Sequence, residues 1–175
     1  MIEIKDNFLD KEDFDKIKEV YNSPNIPWAK GDILYDDEIN SEVSILDNLQ
    51  FINPVYSMNQ PVSNLFEYWI PLLKKTKAVA LYSIKINLNP RTSKIHEHGF
   101  HTDTGFMCKT GVFYINSNDG YTSFEDGTKV ESVENRFVSF NSDMKHSGTS
   151  CTNQKYRLVM NINYFEAKFI NLPHK

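Results

Sequence analysis

From Lys77 onward the chain is built of short alternating segments separated by turn residues, and nothing else in it constrains the fold as tightly. Ala78–Asn89 alternates and is rich in β-branched side chains, and Thr110–Ile115 is a second such run. Tyr121–Phe124 and Thr128–Val130 flank Glu125-Asp126-Gly127, an Asp-Gly hairpin signal, and Arg136–Phe140 and Tyr156–Phe165 complete the set. Strands this short, joined by turns instead of helices, point to a sandwich, barrel or jelly-roll and away from βαβ units.

The first third reads differently. Phe14, Ile17 and Val20 recur near the helical period, Asp10 stands at the N-cap with Asp13 as a capping-box acid, and Asn22-Ser23-Pro24 stops the helix. A second helix is expected over Ser63–Lys74, with Leu65, Phe66, Trp69, Ile70 and Leu73 on its inner face. Between them, Pro27 to Asn48 is irregular, acidic and aromatic, the texture of a lid or covering flap. No linker or repeat divides the 175 residues, so the expectation is a single domain, residues 1–175, with a helical region 1–76 and a β core 77–166.

Charge and cysteines narrow the class of function. A net charge of −4 gives no overall pull toward phosphate backbones or anionic lipid, which disfavours nucleic acid as a partner. The first residues lack a signal-peptide pattern, and no apolar run approaches the roughly 18 residues of a membrane span. Cys108 and Cys151 fit neither a disulfide framework nor a paired-cysteine metal pattern. A reducing cytoplasm is the expected location, the host's if the chain is viral.

The chemistry gathers in Ile95-His96-Glu97-His98-Gly99-Phe100-His101-Thr102-Asp103. On an extended strand His101 and Asp103 share a face. With a histidine from another strand they would make a 2-His-1-carboxylate metal site, and His146 is the candidate, since the remaining His174 lies in the tail. Five histidines and twelve aspartates yield a His-X-Asp by chance about a third of the time, so the motif alone could be a surface hydrogen-bonded pair. The strand Arg157–Asn163 adds weight. It sets Leu158, Met160 and Ile162 on one side and Arg157, Val159, Asn161 and Asn163 on the other. A cation on the inner face of a small β structure is costly unless something pairs it, and a guanidinium fork suits a dicarboxylate. An ordinary cross-strand salt bridge is the competing reading of Arg157.

Taken in order, His101-Thr102-Asp103, Thr110–Asn116, Gly120–Phe124, Arg136–Phe140, His146 and Arg157 resemble the 2-oxoglutarate/Fe(II) dioxygenases of the prolyl 4-hydroxylase type, over roughly Leu81 to Phe165. The Asn-Leu-Asn-Pro-Arg-Thr and His-Ser-Gly-Thr segments are also similar to those of short oxygenases of marine bacteriophages. The resemblance implies a mainly β double-stranded β-helix (jelly-roll) with the N-terminal helices packed against it. It implies Fe(II) on His101, Asp103 and His146, with no catalytic side chain beyond these ligands. It assigns the distal carboxylate of 2-oxoglutarate to Arg157 and Tyr114, and a cosubstrate contact to Asn87. It implies O2 as co-reactant, ascorbate as a supporting reductant, and hydroxylation of an unactivated C–H bond with release of succinate and CO2. The sequence departs from the family where paired glycines usually precede the threonine, here Gly120-Tyr121.

The substrate stays open between a peptidyl, prolyl-like residue and a small metabolite. The nucleobase-repair branch carries a second arginine six residues after the first, where this chain has Asn163. His96 and His98 differ in parity from His101, so on an unbroken strand they would face solvent or the back of the site, unless Gly99 resets the phase. Two alternatives remain: a cupin using His96, His98, Asp103 and His146 for another metal, and a non-enzymatic jelly-roll that binds sugar or protein.

Overall fold

The computed structural model describes residues 1–33 and 47–167. Its strands, in chain order, are β1 (Glu3–Lys5), β2 (Ala29–Gly31), β3 (Gln50–Ser57), β4 (Gln60–Pro61), β5 (Ala78–Pro90), β6 (Lys109–Tyr114), β7 (Tyr121–Phe124), β8 (Lys129–Glu131), β9 (Arg136–Asn141), β10 (His146–Gly148) and β11 (Tyr156–Glu166). Two α-helices, α1 (Lys11–Tyr21) and α2 (Ile70–Thr76), accompany them. The strands form two antiparallel sheets. The larger runs β1-β9-β6-β11-β5-β3-β2, with β4 hydrogen-bonded to β3, and the smaller runs β10-β7-β8.

The long strands β5 and β11 show how the residue pattern builds layers. Leu158, Met160 and Ile162 lie opposite Leu88, Ile86 and Ile84, and this apolar face belongs to the larger core. The helices cover it: Phe14 of α1 and Trp69 each meet Phe113 of β6 edge-on, at 5.9 and 6.0 Å between ring centres. The other face of the large sheet carries Val112, Tyr114, Val138, Phe140 and Val159. These pack on Phe124 and Val130 of the small sheet to form a second core. The result is three layers, helix on sheet on sheet, with a cavity opening between the two sheets.

Three expectations need correction. The first 76 residues are not simply helical, because β3 is an eight-residue strand that pairs with β5 inside the large sheet. Its sequence, Gln50-Phe-Ile-Asn-Pro-Val-Tyr-Ser57, contains a proline and no clean alternation, so the pairing partner decides its conformation. The second helix is split, with a 3-10 stretch over Asn64–Trp69 preceding α2. Pro71 has no N–H and is tolerated only in a first turn, so a new helix begins at Ile70. The tighter turn also shifts the buried face: Leu72 is fully buried and Ile70 is exposed. At α1, Asp10 holds the N-cap position but makes no side-chain cap; its carboxylate takes Lys75 Nζ at 3.0 Å instead. Most of the lid expected within Pro27–Asn48, and His174, lie outside the described residues.

Candidate metal centre

The segment that carries the first two site residues connects β5 to β6, and Gly99 breaks its strand phase. Gly99 has φ +83°, a backbone conformation open to glycine and strained for other residues. His101 then lies directly across from His146, the first residue of β10. The His101 N–H donates to the His146 carbonyl and the His146 N–H to the His101 carbonyl, each at 3.0 Å. This reciprocal bridge fixes two side chains 45 residues apart in sequence with their ring centres 4.8 Å apart.

Asp103 completes the cluster. Its carboxylate oxygens lie 3.7 Å from His101 Nε2 and 3.9 Å from His146 Nε2, and one ligand atom from each of the three residues falls within 4.8 Å of the others. These separations are too long for hydrogen bonds. They are somewhat wider than the spacing of three donors each about 2 Å from one ion, a spread that small side-chain rotations close. Asp103 Oδ2 is buried and has no hydrogen-bond partner. The outer nitrogens agree with this: His101 Nδ1 lies 3.3 Å from the Gly99 carbonyl and His146 Nδ1 lies 3.2 Å from the Met144 carbonyl. A carbonyl there favours the proton on Nδ1 and turns the Nε2 lone pair inward.

Electrostatics keep a charged carboxylate beside the two imidazoles, the sign that draws a cation. Burial works to raise the Asp103 pKa, but His101, His146 and Lys85 outweigh it and hold the carboxyl down to about 2. Burial lowers the His146 pKa, and the Asp103 carboxylate raises that of His101.

A cavity of about 650 Å³ extends from these residues between the sheets to Arg157. Arg157 is 2% exposed, and no carboxylate lies within salt-bridge distance of it among the described residues. Its Nε donates to Ser132 Oγ at 2.9 Å and Nη2 donates to Thr122 Oγ1 at 3.1 Å. Burial opposes its charge and lowers its pKa, yet a guanidinium stays protonated. Gly120 makes room for it: a Cβ there would come within 2.8 Å of Arg157 Cδ and 2.6 Å of the Ser150 carbonyl. The single glycine of Gly120-Tyr121 thus supplies the close approach this site needs.

The residues singled out in the sequence come together to different degrees. His101, Asp103, His146, Arg157 and Asn87 all line the one cavity. Tyr114 is fully buried behind the wall. Its hydroxyl donates to Thr122 Oγ1 at 2.8 Å, so it is Thr122, bonded to both Tyr114 and Arg157, that reaches the cavity. His96 and His98 do not face solvent; they are 5% and 6% exposed. His98 lines the cavity, and burial together with the nearby Arg157 pushes its pKa down to about 3, which keeps it neutral. His96 Nε2 instead lies 3.4 Å from Asp47. Neither joins the metal cluster, so the cupin ligand set does not assemble. Lys85 and Asn89 also line the cavity, and their parity with Asn87 on β5 is the signal that could have found them. Among the described residues no helix is long and apolar enough to cross a membrane.

No family model matches the chain, and no curated protein matches it. Solved structures do. A Burkholderia pseudomallei oxidoreductase of the 2OG-Fe(II) oxygenase family aligns with TM-score 0.67 at 9% identity, covering 95% of this chain and 86% of that one. This chain has the fold of the 2-oxoglutarate/Fe(II) oxygenases. HygX from Streptomyces hygroscopicus, solved with nickel and 2-oxoglutarate bound, aligns with TM-score 0.61 at 9% identity, covering 96% and 84%. A Trichoplax adhaerens prolyl hydroxylase, solved with a hypoxia-inducible-factor peptide, aligns with TM-score 0.59 at 14% identity, covering 94% and 83%.

Proposed function

We propose that the chain is an Fe(II)- and 2-oxoglutarate-dependent dioxygenase that hydroxylates a peptidyl, prolyl-like residue. The observation that carries this reading is the pairing, in one cavity, of a 2-His-1-carboxylate cluster with a fully buried arginine that lacks a carboxylate partner among the described residues. A buried unpaired cation costs several kcal/mol, and a ligand carboxylate would offset that cost.

The residues divide the work. His101, Asp103 and His146 would hold Fe(II) through Nε2, one carboxylate oxygen and Nε2, leaving the remaining positions for ligands that enter the cavity. Arg157 would pair with the distal carboxylate of 2-oxoglutarate, fixed in angle by Ser132 and Thr122. Thr122 Oγ1 accepts from both Tyr114 and Arg157, so its own proton is free to donate to the same carboxylate. Tyr114 acts one bond away, by orienting Thr122. Neutral His98, which lines the same cavity, adds no charge to compete for the cosubstrate. Bound iron and 2-oxoglutarate supply the oxidising chemistry, using O2 and yielding succinate and CO2, with ascorbate keeping the iron reduced.

The peptidyl target is supported by two prolyl hydroxylases among the structures of this fold, one from Trichoplax adhaerens and one from Pseudomonas putida. The test is anaerobic titration of the Fe(II)-loaded protein with 2-oxoglutarate, followed by aerobic measurement of succinate with and without prolyl peptides. A metal-to-ligand charge-transfer band and succinate above a His146→Ala control are expected. Saturable metal binding with neither signal would turn the reading toward a non-enzymatic binding module.

A further inference from the structure

The cavity contains a second cation that the proposed reaction does not use. Lys85, on β5, shares the cavity with the metal cluster, and its charge acts on Asp103, His101 and His146 alike. Among the described residues no carboxylate lies within salt-bridge distance of its ammonium. Asn87 and Asn89 continue the same face of β5, and the Oδ1 atom of each is buried without a hydrogen-bond partner. This wall of the cavity is therefore polar over three successive inward positions, a cation at Lys85 and two unpartnered acceptor oxygens beyond it. Buried polar groups left in this state mark a place that a ligand completes.

Register separates Lys85 from Arg157. Lys85 lies across from Asn161 and Arg157 lies across from Asn89, so four residues of β11, roughly 13 Å of strand rise, divide the two pairs. A five-carbon diacid spans about 5 Å between its end carbons. Ser132 and Thr122 pin the Arg157 guanidinium at one end, while the Lys85 charge bears on the metal ligands at the other. In the proposed reading the distal carboxylate of the cosubstrate is taken by Arg157 and its other end by the metal, so Lys85 has no carboxylate of its own. The charges give the same answer: a divalent metal with Asp103, and a dianionic cosubstrate with Arg157, together come to zero. Lys85 is left over, a half-buried cation on the cavity wall that a ligand anion can reach. Asp32 also lines the cavity, but it is an exposed residue at the rim.

We infer that Lys85 forms an anion subsite for the primary substrate, which presents a carboxylate beside the position to be oxidised. This rests on the proposed dioxygenase reading and narrows it, from a prolyl-like residue in general to one carrying an adjacent negative charge. Two sources share that chemistry, a free carboxylate on a chain-terminal residue and an acidic side chain next to the target.

The test uses the full chain loaded with Zn(II) as a redox-silent metal, with and without 2-oxoglutarate, and reads binding by NMR titration. The probes are N-acetyl-L-proline, its uncharged methylamide, and a blocked Glu-Pro dipeptide amide. At least one carboxylate probe should bind about tenfold or more tighter than the methylamide, the reach of one charge-assisted hydrogen bond. Which of them does so identifies the source. Lys85→Gln should erase the preference and Lys85→Arg should keep it, with 2-oxoglutarate affinity in Lys85→Gln within about threefold of the parent. No preference in the parent chain, or a preference that survives in Lys85→Gln, overturns the subsite. A loss of 2-oxoglutarate affinity in Lys85→Gln as large as that in Arg157→Ala also overturns it, by making Lys85 a cosubstrate residue. If the parent binds no 2-oxoglutarate, the dioxygenase reading fails by itself, and the Zn(II)-only arm still decides whether Lys85 selects anions.

Discussion

The two faces of β5 and β11 differ sharply, although they are built from alternate residues of the same strands. Toward the helices stand Ile84, Ile86, Leu158, Met160 and Ile162, all at most 2% exposed and packed in one apolar core. Toward the small sheet stand Lys85, Asn87, Asn89, Arg157 and Asn161, around a cavity. The period-two geometry of a strand lets neighbouring residues serve stability and chemistry with little interference. The apolar face holds the backbone rigid, and the polar face, which costs free energy to bury, is carried by that rigidity.

The sharpest way to break this contrast is at the candidate metal ligands. Asp103→Ala or His146→Ala is expected to abolish Fe(II) binding while leaving the circular dichroism spectrum intact, because neither side chain belongs to the helix-side core. Tight Fe(II) binding that survived either change would show that the cluster is not the metal site.

On the apolar face, Met160→Ala should destabilise the fold by about 2–5 kcal/mol, since a fully buried side chain is removed from a packed core. Denaturant unfolding measures the loss, and metal affinity under native conditions should be unchanged. Equal damage to both properties would mean that the two faces are not independent.

One residue away in parity, Arg157→Ala should do the reverse. The expected result is weaker 2-oxoglutarate binding by about a hundredfold, or about 2.7 kcal/mol, with Fe(II) affinity little changed. Lysine at this position should recover part of the loss, because an ammonium lacks the planar fork. Anaerobic titration of the charge-transfer band reads all three proteins.

The smallest effect, up to about 2 kcal/mol over the measured range of pH 6.5 to 5, is a pH dependence at His98. Its folded pKa, about 3, lies below the ordinary histidine value, so the unfolded chain binds more protons between roughly pH 6.5 and 3. Its contribution to stability is therefore complete above about pH 6.5 and is lost as pH falls through that window, by up to about 1.4 kcal/mol per pH unit. In metal-free protein, His98→Gln should flatten the stability profile between pH 6.5 and 5. An unchanged slope would place the titrating group elsewhere.

Much of this was readable from residue order. Alternation in Tyr156–Phe165 separates Arg157 from Leu158, and the structure sets those two residues on opposite faces of the sheet. The hairpin around Glu125-Asp126-Gly127 forms as its turn residues require, with the Phe124 N–H donating to the Thr128 carbonyl. His101, Asp103 and His146 were identifiable as candidates because a facial triad has a recognisable ligand set and few histidines compete for it. Such features are local, or depend on a period that survives in one dimension.

Other features were settled by tertiary contact. β3 is a strand because β5 offers it an edge, and its own residues alternate poorly. His98 turns inward because Gly99 adopts a positive φ and because the segment lies against β10, and strand parity alone cannot report either. Tyr114 and Thr122 lie eight residues apart on different sheets, and only the packing of one sheet on the other shows that Thr122 faces the cavity while Tyr114 stands behind it. The sequence by itself determined which residues alternate, which could ligate a metal and where turns fall, since these follow from backbone geometry and side-chain chemistry. The folded chain decided which polar groups are desolvated together, because that depends on surfaces far apart in sequence meeting and excluding water.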